Sequence, residues 1–115
     1  MKLLGLAAIS VCLAACGSSG GTKSNTLSGT VGPGFTISLN DGGTKVTTLK
    51  AGSYVIKVDD KADIHNFHLT GPGVDEKTSV PAQTTATWKV TLKKGTYNYM
   101  CDPHASTMNG SFTVT

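Results

Sequence analysis

The 115-residue sequence contains no arginine, and all ten of its basic residues are lysines. Only 15% of the residues are charged, and the formal net charge is +3. The lysines are scattered along the chain, with Lys93 and Lys94 as the only adjacent pair. Nucleic-acid binding requires basic residues clustered on one face. The sequence therefore argues against a nucleic-acid-binding protein, and so small a charge predicts no acidic partner.

Long hydrophobic runs are also lacking. The most apolar stretch, residues 3–15, is too short for a bilayer-spanning helix, which needs roughly 20 residues. It follows Met1 and Lys2 directly, as in a secretory signal peptide that is removed from the mature protein. We therefore predict that residues 1–15 are a signal peptide and that the protein is exported.

Cysteine is scarce, and each of the three cysteines has a different expected fate. Cys12 would leave with the signal peptide. Cys16 ends the sequence Leu-Ala-Ala-Cys, which resembles a bacterial lipobox, so we expect a lipid on Cys16 that anchors the protein without spanning the membrane. The alternative is an ordinary signal peptide with a chance cysteine. Only Cys101 would remain in the folded domain, so no disulfide is expected there.

Residues 16–25 are rich in glycine and serine and predict a flexible tether. The chain would then be held by its lipid at the extracytoplasmic side of a membrane, in a periplasm or at a cell surface. Folded structure is expected to begin near Thr26 and to continue to the end of the chain, as one domain over residues 26–115.

Period-2 alternation of apolar and polar residues dominates this domain, and no segment longer than about eight residues shows a helical period. The predicted strands include a row with Phe35, Ile37 and Leu39, a strand over 64–69 and a strand ending at Cys101. Glycine-containing turns separate them. Seven or eight short strands of this kind predict an all-β, antiparallel sandwich.

Three candidate metal ligands lie within eight residues: the Cys101 thiolate, the His104 imidazole and the Met108 thioether. With one upstream histidine, His65 or His68, they would form a His₂Cys set with a weak axial methionine, which is typical of blue-copper sites. The alternatives are a buried structural cysteine, a surface or pH-sensing histidine and a methionine that anchors a loop by packing.

The choice between the two upstream histidines depends on side-chain direction. If residues 64–69 form a strand, His65 shares a face with Phe67 and Leu69, whereas His68 lies on the other face. We therefore predict His65 as the inward-facing ligand. His68 is then a surface histidine or at most a weak secondary metal contact.

The His65-Asn66 pair, followed by Cys101, His104 and Met108, resembles the cupredoxins, the group that includes plastocyanin, pseudoazurin and amicyanin. The resemblance covers about residues 26–115. It implies a Greek-key sandwich, one bound copper ion, and a backbone hydrogen bond from Asn66 to the Cys101 sulfur. The loop departs from the familiar members: three residues separate His104 from Met108, where plastocyanin and pseudoazurin usually have four and amicyanin has two.

By this resemblance the protein is a membrane-tethered one-electron carrier, a monomer with transient redox-protein partners. The alternative is an extracytoplasmic protein that buffers or delivers copper with the same ligands. Methionine-rich and histidine-rich tracts typical of copper handling are absent from the sequence, which favours electron transfer. A third interpretation is a purely structural sandwich that serves as a binding module, but it would make the spacing of Cys101, His104 and Met108 a coincidence. We expect no enzymatic activity, because no general base, nucleophile or second metal cluster is evident, and Asp102, which neighbours the site, is interpreted as a turn former.

Overall fold

The computed structural model describes residues 25–115. The predicted signal peptide, the lipidation site at Cys16 and the tether up to residue 24 lie outside the described residues. The first strand of the described residues begins at Thr26. No helix within the described range is long and apolar enough to cross a bilayer.

Ten strands follow one another along residues 25–115. They are β1 (Thr26–Val31), β2 (Ile37–Asp41), β3 (Thr44–Lys45), β4 (Thr48–Leu49), β5 (Gly52–Asp60), β6 (His68–Gly71), β7 (Val74–Lys77), β8 (Thr85–Leu92), β9 (Gly95–Met100) and β10 (Asn109–Val114). A short 3₁₀ helix, Asp102–His104, lies between β9 and β10.

The strands form two five-stranded sheets, ordered β3-β2-β1-β5-β8 and β4-β10-β9-β6-β7. The predicted all-β sandwich is confirmed. The strand count exceeds the expected seven or eight partly because β3 and β4 are two-residue pieces of a threonine-rich stretch. Two pairings, β1 with β5 and β10 with β4, are parallel. Period-2 alternation reports which face of a strand is buried and not the direction of its neighbour, so these parallel pairs could not be foreseen.

The core lies between the sheets and is rich in aromatic contacts. The Phe67 and Tyr99 rings stack with centroids 5.5 Å apart, and the Tyr97 and Phe112 rings stack at 5.2 Å. Aliphatic side chains fill the remaining space; the most deeply buried are Leu27, Val31, Leu39, Ile56, Val58, Leu69 and Leu92. Each fully buried aliphatic side chain of this kind stabilises the fold by about 1.5–3 kcal/mol.

The strand predicted over 64–69 is wrong over residues 64–67, because β6 begins only at His68. The preceding residues form the loop between β5 and β6. His65 and Phe67 are fully buried, as alternation predicted, but Asn66 between them is buried as well. A loop does not alternate its side chains between two faces. The inward direction of His65 therefore comes from a folded-in loop and not from a strand face.

Phe35 also departs from the expected core row. The strand β2 starts two residues later, at Ile37, and the Phe35 side chain is 62% exposed. It belongs to the loop between β1 and β2, where an extended alternation no longer applies. This loop places the phenyl ring at the end of the sandwich that carries the candidate ligands.

Candidate metal centre

Three of the four predicted ligands converge at one end of the sandwich. The Cys101 Sγ atom lies 3.6 Å from His65 Nδ1 and 3.5 Å from His104 Nδ1. The two Nδ1 atoms are 3.2 Å apart. These three atoms are the donors that the sequence predicted, and they form a compact triangle.

The triangle has the size that a trigonal metal centre requires. With metal bonds of about 2.0–2.1 Å to imidazole nitrogen and about 2.3 Å to thiolate sulfur, as for Zn²⁺, a flat trigonal site separates its nitrogens by about 3.5 Å and each nitrogen from sulfur by about 3.8 Å. The observed separations are slightly shorter. A His₂Cys trigonal set is typical of blue-copper sites, so these residues fit one copper ion.

The donors differ in exposure. His65 and Cys101 are fully buried, whereas His104 is half-buried at the protein surface. His65 Nε2 is buried and has no hydrogen-bond partner among residues 25–115. The polar contacts of the His65 ring are made by Nδ1, which faces Cys101 and His104.

The loop that carries His65 is braced by a buried acid. The Asp60 carboxylate, at the end of β5, accepts hydrogen bonds from the Ala62 N–H and the Thr78 hydroxyl, each at 3.2 Å. Thr78 Oγ1 in turn accepts from the Phe67 N–H at 2.9 Å. Burial raises the pKa of the Asp60 carboxyl, and the two hydrogen bonds to it act in the opposite direction. The bracing holds both ends of the His65 segment against β5.

The other ligands share one tight loop. The Cys101 N–H donates to the Met108 carbonyl at 3.0 Å, and the Met108 N–H donates to the His104 carbonyl at 2.8 Å. Pro103 lies in the first turn of the 3₁₀ helix, where its fixed φ suits the helical conformation. The loop is therefore closed at its base and stiffened at its first turn.

Met108 is fully buried at the end of this loop. Its position is set by the two backbone hydrogen bonds that join it to Cys101 and His104. The assignment of its thioether as the weak axial ligand stays a prediction. A change of even one methylene group in the buried Met108 side chain would disturb the packing, because protein interiors are close-packed.

Asn66 ties the two ligand-bearing segments together through its side chain. Its Oδ1 accepts the Asp102 N–H at 2.7 Å, and its Nδ2 donates to Asp102 Oδ2 at 2.9 Å. Nδ2 also lies 3.2 Å from the Thr78 carbonyl. The backbone hydrogen bond from Asn66 to the Cys101 sulfur, which the resemblance implied, is not among the hydrogen bonds of the described chain. Asn66 thus belongs to the site by a different set of contacts.

Two further neighbours of the donors, Phe35 and Asp102, have roles at the site that the sequence analysis did not predict. The Phe35 ring packs edge-on against both histidines, with centroids 5.1 Å from His65 and 5.0 Å from His104. Asp102 is more than a turn former, because its carboxylate contacts both Asn66 and His68. Only the proximity of Asp102 to Cys101 in sequence could have drawn attention to it, and Phe35 had no such signal.

His68 stands outside the donor triangle. Its ring nitrogens face Asp75 and Asp102, and its side chain is 18% exposed. Burial lowers the pKa of His68, but hydrogen bonds to the two carboxylates outweigh it, so the pKa lies above its usual value. Burial alone would raise the pKa of Asp102, whereas its hydrogen bonds to His68 and Asn66 bring it below the usual range.

Solved structures with the same fold are known. Reduced rusticyanin aligns with a TM-score of 0.59 at 20% identity, over 81% of this chain and 81% of that chain. Reduced auracyanin from the photosynthetic bacterium Roseiflexus castenholzii aligns with a TM-score of 0.55 at 16% identity, over 80% of this chain and 98% of that chain. These likenesses support the fold. No curated protein sequence matches this chain.

Family membership is shown by the sequence as a whole. The family model described as a cupredoxin-like domain matches residues 5–114. This range includes every predicted ligand and nearly all the described residues. The resemblance noted from the ligand spacing is thereby confirmed, and the chain belongs to the cupredoxin-like domain family.

Proposed function

We propose that the protein is a one-electron carrier with a type 1 copper centre, held at the extracytoplasmic face of a membrane by a lipid on Cys16. The observation that carries the redox part is the convergence of His65 Nδ1, His104 Nδ1 and Cys101 Sγ within one triangle. Met108 is the proposed axial ligand. A bound copper ion would supply the Cu(I)/Cu(II) couple.

The surroundings of the donors suit electron transfer. Buried His65 and Cys101 exclude water from one side of the site, and the hydrogen bonds of Asn66 limit movement of the ligand segments. A rigid donor set resists rearrangement when the charge of the ion changes. The Asp102 carboxylate is engaged by Asn66 and His68, so we assign it a structural role and propose no catalysis.

Half-buried His104 is the proposed point of electron exit. The exposed Phe35 ring packs against it and gives this end of the protein an apolar surface. A redox partner needs only a small, transient contact there, since weak electron-transfer encounters bury less than about 1,200 Å². A monomer presents this surface directly.

The test is a visible absorption spectrum of the full chain, purified in detergent and supplied with Cu(II), beside a Cys101→Ser variant. We expect an intense thiolate-to-copper charge-transfer band that the variant lacks. A pale spectrum that is the same for both proteins would remove the thiolate from the ligand set and overturn the proposal.

Copper buffering or delivery would use the same ligands, and a second measurement separates it from electron transfer. Repeated oxidation and reduction of the loaded protein in the presence of a Cu(I) chelator should leave the copper in place if the protein is a carrier. Rapid loss of Cu(I) to the chelator would favour copper handling.

The membrane attachment rests on the sequence alone. Removal of the lipidated residue by Cys16→Ala should release the protein from the membrane fraction and abolish incorporation of a labelled fatty acid. A Cys12→Ala variant is the matched control, because Cys12 lies within the predicted signal peptide. Retention of label in Cys16→Ala would contradict lipidation at this residue.

A further inference from the structure

His68 lies at the start of β6 with both ring nitrogens facing carboxylate oxygens. Its Nε2 is 2.7 Å from Asp75 Oδ1, and its Nδ1 is 2.9 Å from Asp102 Oδ1. An ionised carboxylate can only accept hydrogen bonds, so both nitrogens must donate. The geometry therefore corresponds to a protonated imidazolium bridging two acids.

The bridge continues into the candidate copper site. Asp102 uses its other oxygen to accept from Asn66, and its own N–H donates back to the Asn66 side chain. Asp102 directly follows Cys101, and Asn66 directly follows His65. Through these contacts β7, which carries Asp75, is connected to the two chain segments that hold the buried ligands.

We propose that His68 is a positioning residue that holds the Cys101 and His65 segments in register by orienting the Asp102 carboxylate towards Asn66. The inference rests on the proposed copper site for its functional meaning, whereas the bridge itself exists in the protein without copper. Charge-assisted hydrogen bonds of this type are shorter and roughly twice as strong as neutral ones. They are therefore suited to fixing the orientation of a partly exposed carboxylate.

The charged groups that face His68 come from two elements. β7 contributes Asp75 and Lys77, and the loop after β9 contributes Asp102. Lys77 is the direct strand partner of His68, and Met100 on β9, the other strand partner, is uncharged. Substitution of His68 by a neutral residue would remove one positive charge from the neighbourhood of the Asp75 and Asp102 carboxylates. A less positive environment favours Cu(II), so the reduction potential should fall.

The first experiment uses the copper-free full chain and measures backbone hydrogen exchange at Asp102. The bond from the Asp102 N–H to Asn66 protects this proton only while the carboxylate and amide remain paired. In His68→Gln we expect exchange at Asp102 to be at least tenfold faster. Asp75→Asn should give a smaller acceleration, because His68 keeps its contact with Asp102. Lys89→Gln, a loss of one positive charge on the other sheet, should have no effect.

The second experiment compares the same variants after loading with Cu(II). We expect His68→Gln to lower the reduction potential and shift the charge-transfer band, with neither change in Lys89→Gln. Unchanged exchange at Asp102 in His68→Gln, or a wild-type potential in that variant, would overturn the proposal. If hydrogen exchange is faster in His68→Gln but neither the wild-type protein nor any variant shows a charge-transfer band, the result supports the bridge and overturns the copper function.

Discussion

The Nδ1 atoms of His65 and His104 lie 3.2 Å apart, although 39 positions separate the two residues in the chain. They come from different loops, and Cys101 lies almost equally far from both. At this distance one ring nitrogen can donate a hydrogen bond to the other only through a single shared proton. A metal ion would instead accept electron pairs from both nitrogens and from the Cys101 sulfur, so a metal that binds the folded donor set should stabilise the fold.

Copper should therefore stabilise the protein against heat. A ligand present at 100 times its dissociation constant, with no affinity for the unfolded chain, adds about 2.7 kcal/mol to the free energy of unfolding. Differential scanning calorimetry with and without copper measures this as a rise in Tm. The rise should be much smaller in Cys101→Ser, which lacks one of the three donors. An equal rise in both proteins would place the stabilising copper elsewhere.

Asn66 should be essential to the arrangement of the ligand loops. Its side chain is buried and makes three hydrogen bonds, one of which satisfies the Asp102 N–H. Asn66→Ala removes the donor to the buried Thr78 carbonyl, and an unsatisfied buried group costs about 1–3 kcal/mol, whereas the exposed Asp102 can bond to water. We expect a loss of stability of that order in urea unfolding of the copper-free protein. Asn98→Ala, at an exposed position in β9, is the control and should change stability little. Equal losses in both variants would contradict the special role of Asn66.

The three donors that converge, His65, Cys101 and His104, could be predicted from their residue types and spacing. Cys101 and His104 lie on one short loop, and the direction of Cys101 follows from its place in the buried row of Tyr97 and Tyr99. His65 was predicted correctly to be the buried histidine, but from a strand over 64–69 that begins only at His68. The loop that carries His65 is braced by Asp60 partly through Thr78, 18 positions away, and no local pattern encodes that contact.

The groups around the ligands could not be predicted, since they meet only after folding. Asp75 reaches His68 from the neighbouring strand, and Phe35 reaches both ligand histidines from a loop at the far end of β1. Alternation placed Phe35 in the core because the periodicity extends two residues beyond the strand. Local sequence thus predicts the donors well and their surroundings poorly.

Gly110 should tolerate no side chain, because it lies beneath a core tyrosine. A Cβ atom at this position would overlap Tyr99 Cζ and lie 2.5 Å from its hydroxyl oxygen. Tyr99 is only 1% exposed and stacks on Phe67, so it has little freedom to move. Overpacking of this kind costs about 1–3 kcal/mol. Gly110→Ala should show that loss in urea unfolding.

The matched control for this prediction is Gly34→Ala. A Cβ atom at Gly34 would meet nothing within 4 Å, and its φ is not positive. Alanine there should leave stability unchanged or raise it slightly, because it reduces the conformational entropy of the unfolded chain. If Gly110→Ala were as stable as Gly34→Ala, the packing of Tyr99 against β10 would be looser than the structure indicates.

The contribution of His68 to stability should depend on pH in a defined direction. The folded protein raises the pKa of His68 above 6.5, its ordinary value, so folding favours the protonated ring. The stabilisation is therefore fully present below pH 6.5 and is lost as the pH rises through the folded pKa. Asp102 behaves oppositely: its pKa is lowered from 3.8, so its contribution is present above 3.8 and is lost as the pH falls through the folded pKa.

The difference in unfolding free energy between the wild-type protein and His68→Gln isolates the histidine from other titrating groups. Asp60, whose pKa is raised by burial, affects both proteins alike and cancels. We expect this difference to be largest between pH 3.8 and 6.5 and to shrink at higher pH, in urea unfolding of the copper-free chains. High salt should reduce it, because the carboxylates that pair with His68 are 77% exposed at Asp75 and 39% exposed at Asp102 and are therefore open to screening. A difference that stays constant from pH 5 to pH 9, roughly the range in which a histidine titrates, would mean that the ring does not act as an imidazolium between Asp75 and Asp102.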